Sequence, residues 1–247
     1  MAPALGLGSF AAAFVAASIV LAPATLIDSR LASASDGRLR LASAEGTLWS
    51  GAGWIEVRHA DGRAGVARRI VWRVLPESLL RARLAAEVQM DQAAKPFHLT
   101  MSFSRIEITQ AGITVPAAAL GLGVPRLAPL RLTGEVRVAI PQLSLERGRM
   151  DGEVTLQWHA AGSALTPISP LGEYELRLKA AGAAVHATLR TLEGPLQLDG
   201  EGDWSGRGPP RFLATASVPE AQQEQLAPLL RLIAVERGAG SFEVRAQ

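Results

Sequence analysis

Four histidines, His59, His98, His159 and His186, are the side chains of this 247-residue chain whose type best suits metal ligation or proton transfer. No two of them stand at an H-x-x-x-H spacing, which would turn two imidazoles toward one metal from a single helical face. Each fits the solvent face of a strand, or a loop, better than a ligand set. The sequence holds no cysteine, which removes thiolate ligands, cysteine nucleophiles and disulfides. A serine on a nucleophile elbow needs G-x-S-x-G, and neither Trp49-Ser50-Gly51 nor Trp204-Ser205-Gly206 fits. A phosphate-cradling loop needs G-x-x-x-x-G-K-[ST], and neither Lys95 nor Lys179 completes one. Gly200-Glu201-Gly202 leads to Trp204 rather than into a helix, so a dinucleotide turn fails as well.

Paired carboxylates occur in Asp151-Gly152-Glu153 and Asp199-Gly200-Glu201. On a strand each pair would share a face, but the intervening glycine favours a turn, and no further oxygen ligands complete a calcium shell. The expectation is a chain with no catalytic residue, no cofactor and no metal site. Lysine plus arginine total 25 against 23 acidic residues, a net charge of +2. That balance is too even to predict a nucleic-acid partner. Hydrophobic residues make up 48%, ample for a folded core.

The elements that would carry any function begin with an uncharged stretch. No charged residue precedes Asp28, and the 24 residues from Ala4 to Ile27 are almost all apolar. A helix needs about 20 such residues to cross a bilayer, so residues 1–30 are predicted to be a transmembrane segment that meets lipid through residues 4–27. A cleaved signal peptide competes with this reading, because Ala22-Pro23-Ala24 resembles a small-residue cleavage site. Arg30, Arg38 and Arg40 follow the span and nothing basic precedes it. The positive-inside tendency would therefore place the remainder in the cytoplasm.

Residues 31–247 read as strands. Apolar residues alternate from Leu130 to Ile140 and again through Met150, Val154, Leu156 and Trp158, the period of a one-faced strand. Ile70, Trp72 and Val74 repeat the pattern, as do Phe97, Leu99, Met101 and Phe103, with a bulge or turn near Arg105. Tyr174, Leu176 and Leu178 and then Val185, Ala187 and Leu189 predict a hairpin around Ala180-Ala181-Gly182. Leu196 and Leu198, then Phe212, Ala214 and Ala216, and finally Phe242 and Val244, extend the sheet. Helices are few: Pro76 to Leu84, a turn at Pro116 to Leu120 ended by Gly121, and Pro219 to Val235. The predicted fold is mainly β, a curved or twisted antiparallel sheet in two similar halves with a sub-boundary near 160–170. A loose repeat places glycine ahead of alternating runs, at Gly46, Gly134, Gly152 and Gly194. Hairpin turns explain it. The five tryptophans, Trp49, Trp54, Trp72, Trp158 and Trp204, are expected in the core, with a lipid or partner groove as the functional alternative.

Several of these residues fall into a family pattern. Gly46-Thr47-Leu48-Trp49-Ser50-Gly51 resembles the G-T-L-W-x-G signature of type II secretion system protein N. Trp72, followed by Leu75-Pro76 and Leu79-Leu80, is similar to that family's W-x-x-x-P-x-x-L-L segment. Leu171-Gly172-Glu173-Tyr174 resembles its L-G-x-Y element. Gly194-Pro195-Leu196, running on through Gly200 and Gly202 to Trp204, resembles its G-P-L-x-L-x-G-x-G-x-W run. The resemblance implies an inner-membrane protein with a single span and the bulk of the chain in the periplasm. It also implies an accessory role in type II protein secretion, exercised by binding other inner-membrane or periplasmic components, and no catalytic residues. The alternative is a lipid-handling module like the AsmA-like proteins, which share glycine-led strands and the W-x-x-x-P pattern. A groove whose apolar walls stay open to solvent would favour lipid; a filled core with bare strand edges would favour the subunit.

Overall fold

The structure, a computed structural model, describes residues 21–58, 64–91, 93, 95–123, 125–205, 211–233, 235–238 and 241–246. The chain divides into two compact units, residues 1–91 and 92–247.

The first unit opens with helix α1 (Thr25–Ala34), followed by β1 (Leu39–Gly46), β2 (Ser50–Arg58) and β3 (Ala64–Leu75). A 3-10 turn at Pro76–Arg81 then leads into β4 (Leu84–Met90). Each strand pairs antiparallel with the next in the chain. On β3 the alternation works as the sequence predicts: Ile70, Trp72 and Val74 are buried while Arg69, Val71 and Arg73 are exposed. The core gathers Ala24, Leu41, Ile70 and Trp72, with Ile27 and Leu31 of α1 packed against it. The Asp28 carboxylate locks α1 to β1. It accepts two bonds from the Arg40 guanidinium at 2.7 and 2.9 Å and the Leu41 N–H at 2.8 Å. Those bonds hold its pKa down to about 2.

This packing moves the end of the apolar stretch. Ala24 and Ile27 belong to the core of the first unit, so the expected lipid-facing stretch 4–27 does not run to its end as lipid contact. The rest of that stretch, up to residue 20, lies outside the described residues. Among the described residues no helix is long and apolar enough to cross a membrane.

In the second unit, β5 (Phe97–Met101) and β6 (Arg105–Pro116) are followed by a 3-10 turn at Ala117–Ala119, the single turn α2 (Leu120–Gly123) and another 3-10 turn at Pro125–Leu130. Six strands come next: β7 (Leu132–Glu146), β8 (Arg149–Ser163), β9 (Gly172–Gly182), β10 (Ala184–Glu193), β11 (Gln197–Trp204) and β12 (Arg211–Ser217). Helix α3 (Gln223–Ile233), β13 (Val235–Gly238) and β14 (Ser241–Ala246) end the unit. Pairing is antiparallel and sequential from β5 to β12, after which β14 lies between β12 and β13. Among the described residues the sheet does not close on itself. Leu226, Leu229 and Leu230 on one side of α3 are buried with Val136, Leu196 and Ala216 of the sheet. That buried face keeps α3 intact although Pro228 lies inside it.

Several sequence expectations shift. The residues from Pro76 form a six-residue 3-10 turn that stops where Ala82 takes a left-handed φ of +52°, so no α-helix extends to Leu84. Phe103 leaves the strand predicted for it and sits in the β5–β6 turn, fully exposed. Gly134 and Gly152 are not turn residues. They sit inside β7 and β8 with φ of +95° and +141°, next to the register shifts between Thr133 and Glu135 and between Ala139 and Gln142. Extra residues in bulges of this kind require the conformations glycine allows. The carboxylate pairs flanking Gly152 and Gly200 therefore lie mid-strand as well. The units are unequal, four described strands against ten. Residues 160–170 lie inside the second unit, covering the end of β8 and the start of its connection to β9, and those two strands are hydrogen-bonded neighbours.

Candidate functional site

Most of the motif residues collect into one clasp in each unit, and Gly200, Gly202 and Trp204 of β11 stand apart from both. In the first, Gly46 closes β1 at φ +89°, and a side chain there would strike the Ser50 carbonyl. Thr47 makes the tight turn: its N–H donates to the Ser50 carbonyl at 2.9 Å, and its Oγ1 accepts the Trp49 N–H at 3.2 Å. The outer edge of this turn holds the incoming chain. The Ala24 N–H donates to the Gly46 carbonyl at 3.2 Å, and the Leu48 N–H donates to the Ala22 carbonyl at 2.8 Å. On the inner edge the Trp72 Nε1–H is shared between the Thr47 and Leu48 carbonyls, both at 3.3 Å. A Cβ on Gly51 would overlap the Trp72 ring. The Val74 N–H donates to the Trp49 carbonyl at 2.6 Å, and Pro76 then starts the 3-10 turn that ends β3. Gly46 to Gly51 and Trp72 thus secure the point where the chain leaving the apolar N-terminal stretch joins the first unit.

The second clasp joins Leu171, Gly172, Tyr174, Gly194 and Leu196. The buried Tyr174 hydroxyl lies 2.9 Å from the Leu196 carbonyl and 3.2 Å from the Leu171 carbonyl, with its single proton shared between them. The Leu196 N–H donates to the Leu171 carbonyl at 3.1 Å. Gly194, at φ +126° and just ahead of Pro195, brings its backbone onto that of Gly172. The Trp158 ring tilts against Tyr174 with centroids 5.7 Å apart, and its Nε1–H donates to the Thr133 carbonyl at 2.9 Å. Burial pushes the Tyr174 phenol well above its ordinary range, so it stays protonated and serves as a donor.

Gly200 and Gly202 have a different task. Side chains there would meet Ala214 and the Phe212 ring. They keep low the floor of an apolar trough on the face that α3 covers only in part. Register places Leu143, Gly152, Ala180, Val185 and Trp204 in one row across β7 to β11. Val154, Leu178, Ala187, Gly202 and Phe212 form the next row toward α3. Small residues run down the middle and larger ones stand at both sides. The hollow holds about 310 Å³, and its wall carries almost no polar surface. Met150, Val154, Leu178 and Val185 are half-buried there, whereas Val136, Leu196 and Ala216 at the α3 end are buried. Trp204 is exposed at the mouth of the trough. The tryptophans therefore divide: Trp72 is core, Trp158 is half-buried against the core, and Trp54 and Trp204 face solvent.

The opposite face is polar. Glu175 is buried among Gln157 at 3.0 Å, Arg177 at 2.8 Å and Arg190 at 2.7 Å. The Gln157 amide, followed by the two arginines, draws its pKa below the ordinary carboxylate value. The His186 Nδ1 lies 3.0 Å from Asp203, and the His159 Nδ1 lies 3.5 Å from Glu173. His98 is on β5, and His59 is outside the described residues. Among the described residues, no three histidine or carboxylate side chains converge as a metal site. This cross-strand charge pairing suits a solvated sheet face.

Sequence reasoning left the trough as an open alternative, because alternation marks a face as apolar without saying what covers it. Asp28 and Arg40 were missed, being 12 residues apart and outside any local pattern. A family model described as type II secretion system (T2SS), protein N, matches residues 37–245, a span that takes in every motif residue of both clasps. Comparison with curated proteins and with solved structures finds no match.

Proposed function

Because this chain belongs to the type II secretion system protein N family, we propose that it is an accessory envelope component of the type II secretion machinery. In this reading the apolar stretch anchors it in the inner membrane, and the two units lie in the periplasm and bind other secretion components. The family match over residues 37–245 carries the proposal. The first clasp supports it, because the chain leaving the apolar stretch is tied at Ala22 and Ala24 to the tight turn at Gly46 to Gly51. The reading assigns the chain no catalytic step.

Location is tested by fusing alkaline phosphatase after Gln247 and assaying intact cells beside a reporter active only in the cytoplasm. The fusion is expected to be active. Activity from the cytoplasmic reporter alone would mean that Arg30, Arg38 and Arg40 set the orientation, and the periplasmic reading would fall.

The trough favours a second reading, a lipid-handling module. Its walls are half-exposed and apolar apart from Asp203 and Arg211. Extended peptide backbone laid there would lose its hydrogen bonds to water without replacement. An acyl chain has none to lose.

A further inference from the structure

Three stretches of chain meet at one end of the first unit: the incoming residues 21–24, the β1–β2 turn closed by Gly46 and Ser50, and the Pro76–Arg81 turn between β3 and β4. Backbone bonds tie them in series. The Leu48 N–H donates to the Ala22 carbonyl at 2.8 Å, and the Val74 N–H donates to the Trp49 carbonyl at 2.6 Å. Two residues after Val74 the Pro76 turn begins. Helix α1 starts at the same end, at Thr25.

This end exposes leucines. Leu80 in the Pro76 turn is 91% exposed, Leu21 70%, Leu26 in the first turn of α1 49%, and Leu79 44%. Large apolar side chains left open together mark an interaction surface. Charge does not say what covers them. Glu45, Glu77 and Glu87 are matched in number by Arg73, Arg81 and Arg83, and Arg73 stands opposite Glu87 in register.

The length of the incoming chain does say it. The apolar stretch runs from Ala4 to Ile27, but Ala22 is bonded to the clasp, and Ala24 and Ile27 belong to the core. That leaves the 18 residues from Ala4 to Leu21 for a crossing, and a transmembrane helix takes about 17–25. No residue is spare to act as a linker. A chain anchored through this stretch therefore holds the clasp end of the first unit directly at the bilayer surface, where exposed leucines gain by entering the acyl boundary.

We propose that Leu79 and Leu80, with Leu21 and Leu26, dip into the bilayer that holds residues 4–21, so that the first unit stands on the membrane by its clasp end. The proposal rests on the anchor reading of the apolar stretch and adds to it the surface that meets lipid. Because the charges balance, the contact needs no anionic headgroup.

The chain has no cysteine, so one introduced thiol can be labelled alone. The full chain carrying Leu80→Cys, labelled with the fluorophore NBD, is reconstituted in phosphatidylcholine liposomes. These contain nitroxide phosphatidylcholine labelled near the headgroup end of its acyl chain. Leu80 is exposed enough for the substitution to leave the fold intact. Ser33→Cys, exposed near the far end of α1, is the control. Flotation after an alkaline carbonate wash reports separately whether the chain is anchored. The expected result is an anchored chain with blue-shifted emission and nitroxide quenching at position 80, and neither at position 33. An anchored chain whose label at 80 stays unquenched, as at 33, would overturn the docking surface and leave the anchor standing. Equal quenching at both positions would overturn the proposed orientation. Release of the chain by carbonate would overturn the anchor reading, and the docking proposal with it.

Discussion

Gly194→Ala is expected to destabilise the second unit by about 4 kcal/mol. Two costs combine. The residue sits at φ +126°, a backbone region nearly closed to L side chains, which costs about 1–3 kcal/mol. The added methyl would also land on the backbone of Gly172. A strand pair cannot yield there without breaking the Leu196 N–H bond to the Leu171 carbonyl and withdrawing Tyr174 from its two acceptors. Overpacking against backbone adds about 1–3 kcal/mol more. Gly148→Ala is the matched comparison. Gly148 also has a positive φ, +78°, but nothing lies within 4 Å of an added Cβ. It should cost about 1 kcal/mol. Urea unfolding of the two variants separates the effects. Equal losses would mean that the close approach of Gly194 to Gly172 contributes nothing.

Trp72→Ala is expected to be as damaging to the first unit, again by about 4 kcal/mol. The indole is buried in the core with Leu41, Ile70 and Ala24, and its Nε1–H serves two carbonyls of the Thr47 turn. Trp72→Phe keeps much of the apolar volume but leaves those carbonyls without the donor, at a cost of about 1–3 kcal/mol. Amide exchange distinguishes a local loss from a global one. With Trp72→Phe, the Leu48 and Ala24 amides, which tie the incoming chain to the clasp, should exchange faster while β3 and β4 stay protected. Unchanged exchange at Leu48 and Ala24 would show that Trp72 fills space without holding the turn.

How far the sequence reaches can be judged on particular residues. Strands were legible wherever apolar residues alternate, because burial of one face imposes a period of two. Ile70, Trp72 and Val74 are buried on β3, and Ala214 and Ala216 are buried on β12. The hairpin after Ala180 forms in the predicted place, with Val185 opposite Ala180. Gly134 and Gly152 misled because glycine marks positive φ equally well in a turn and in a bulge, and only the partner strand decides between them. The trough was half legible: its residues were identified as one-faced, but whether the face is covered depends on α3, whose reach along the sheet no local pattern encodes. The family motifs were legible as spacing alone. That Gly46 to Gly51 holds Ala22 and Ala24 follows from backbone hydrogen bonds, which side-chain identity does not announce.

If the chain serves type II secretion, removing it should trap cargo. The most direct measurement is the partition of a type II cargo protein between periplasm and medium in a strain lacking this chain, and in the same strain supplied with it again. Without the chain the secreted fraction should fall and folded cargo should accumulate in the periplasm, and the intact chain should restore export. Cargo that reaches the medium unchanged without the chain would contradict that role.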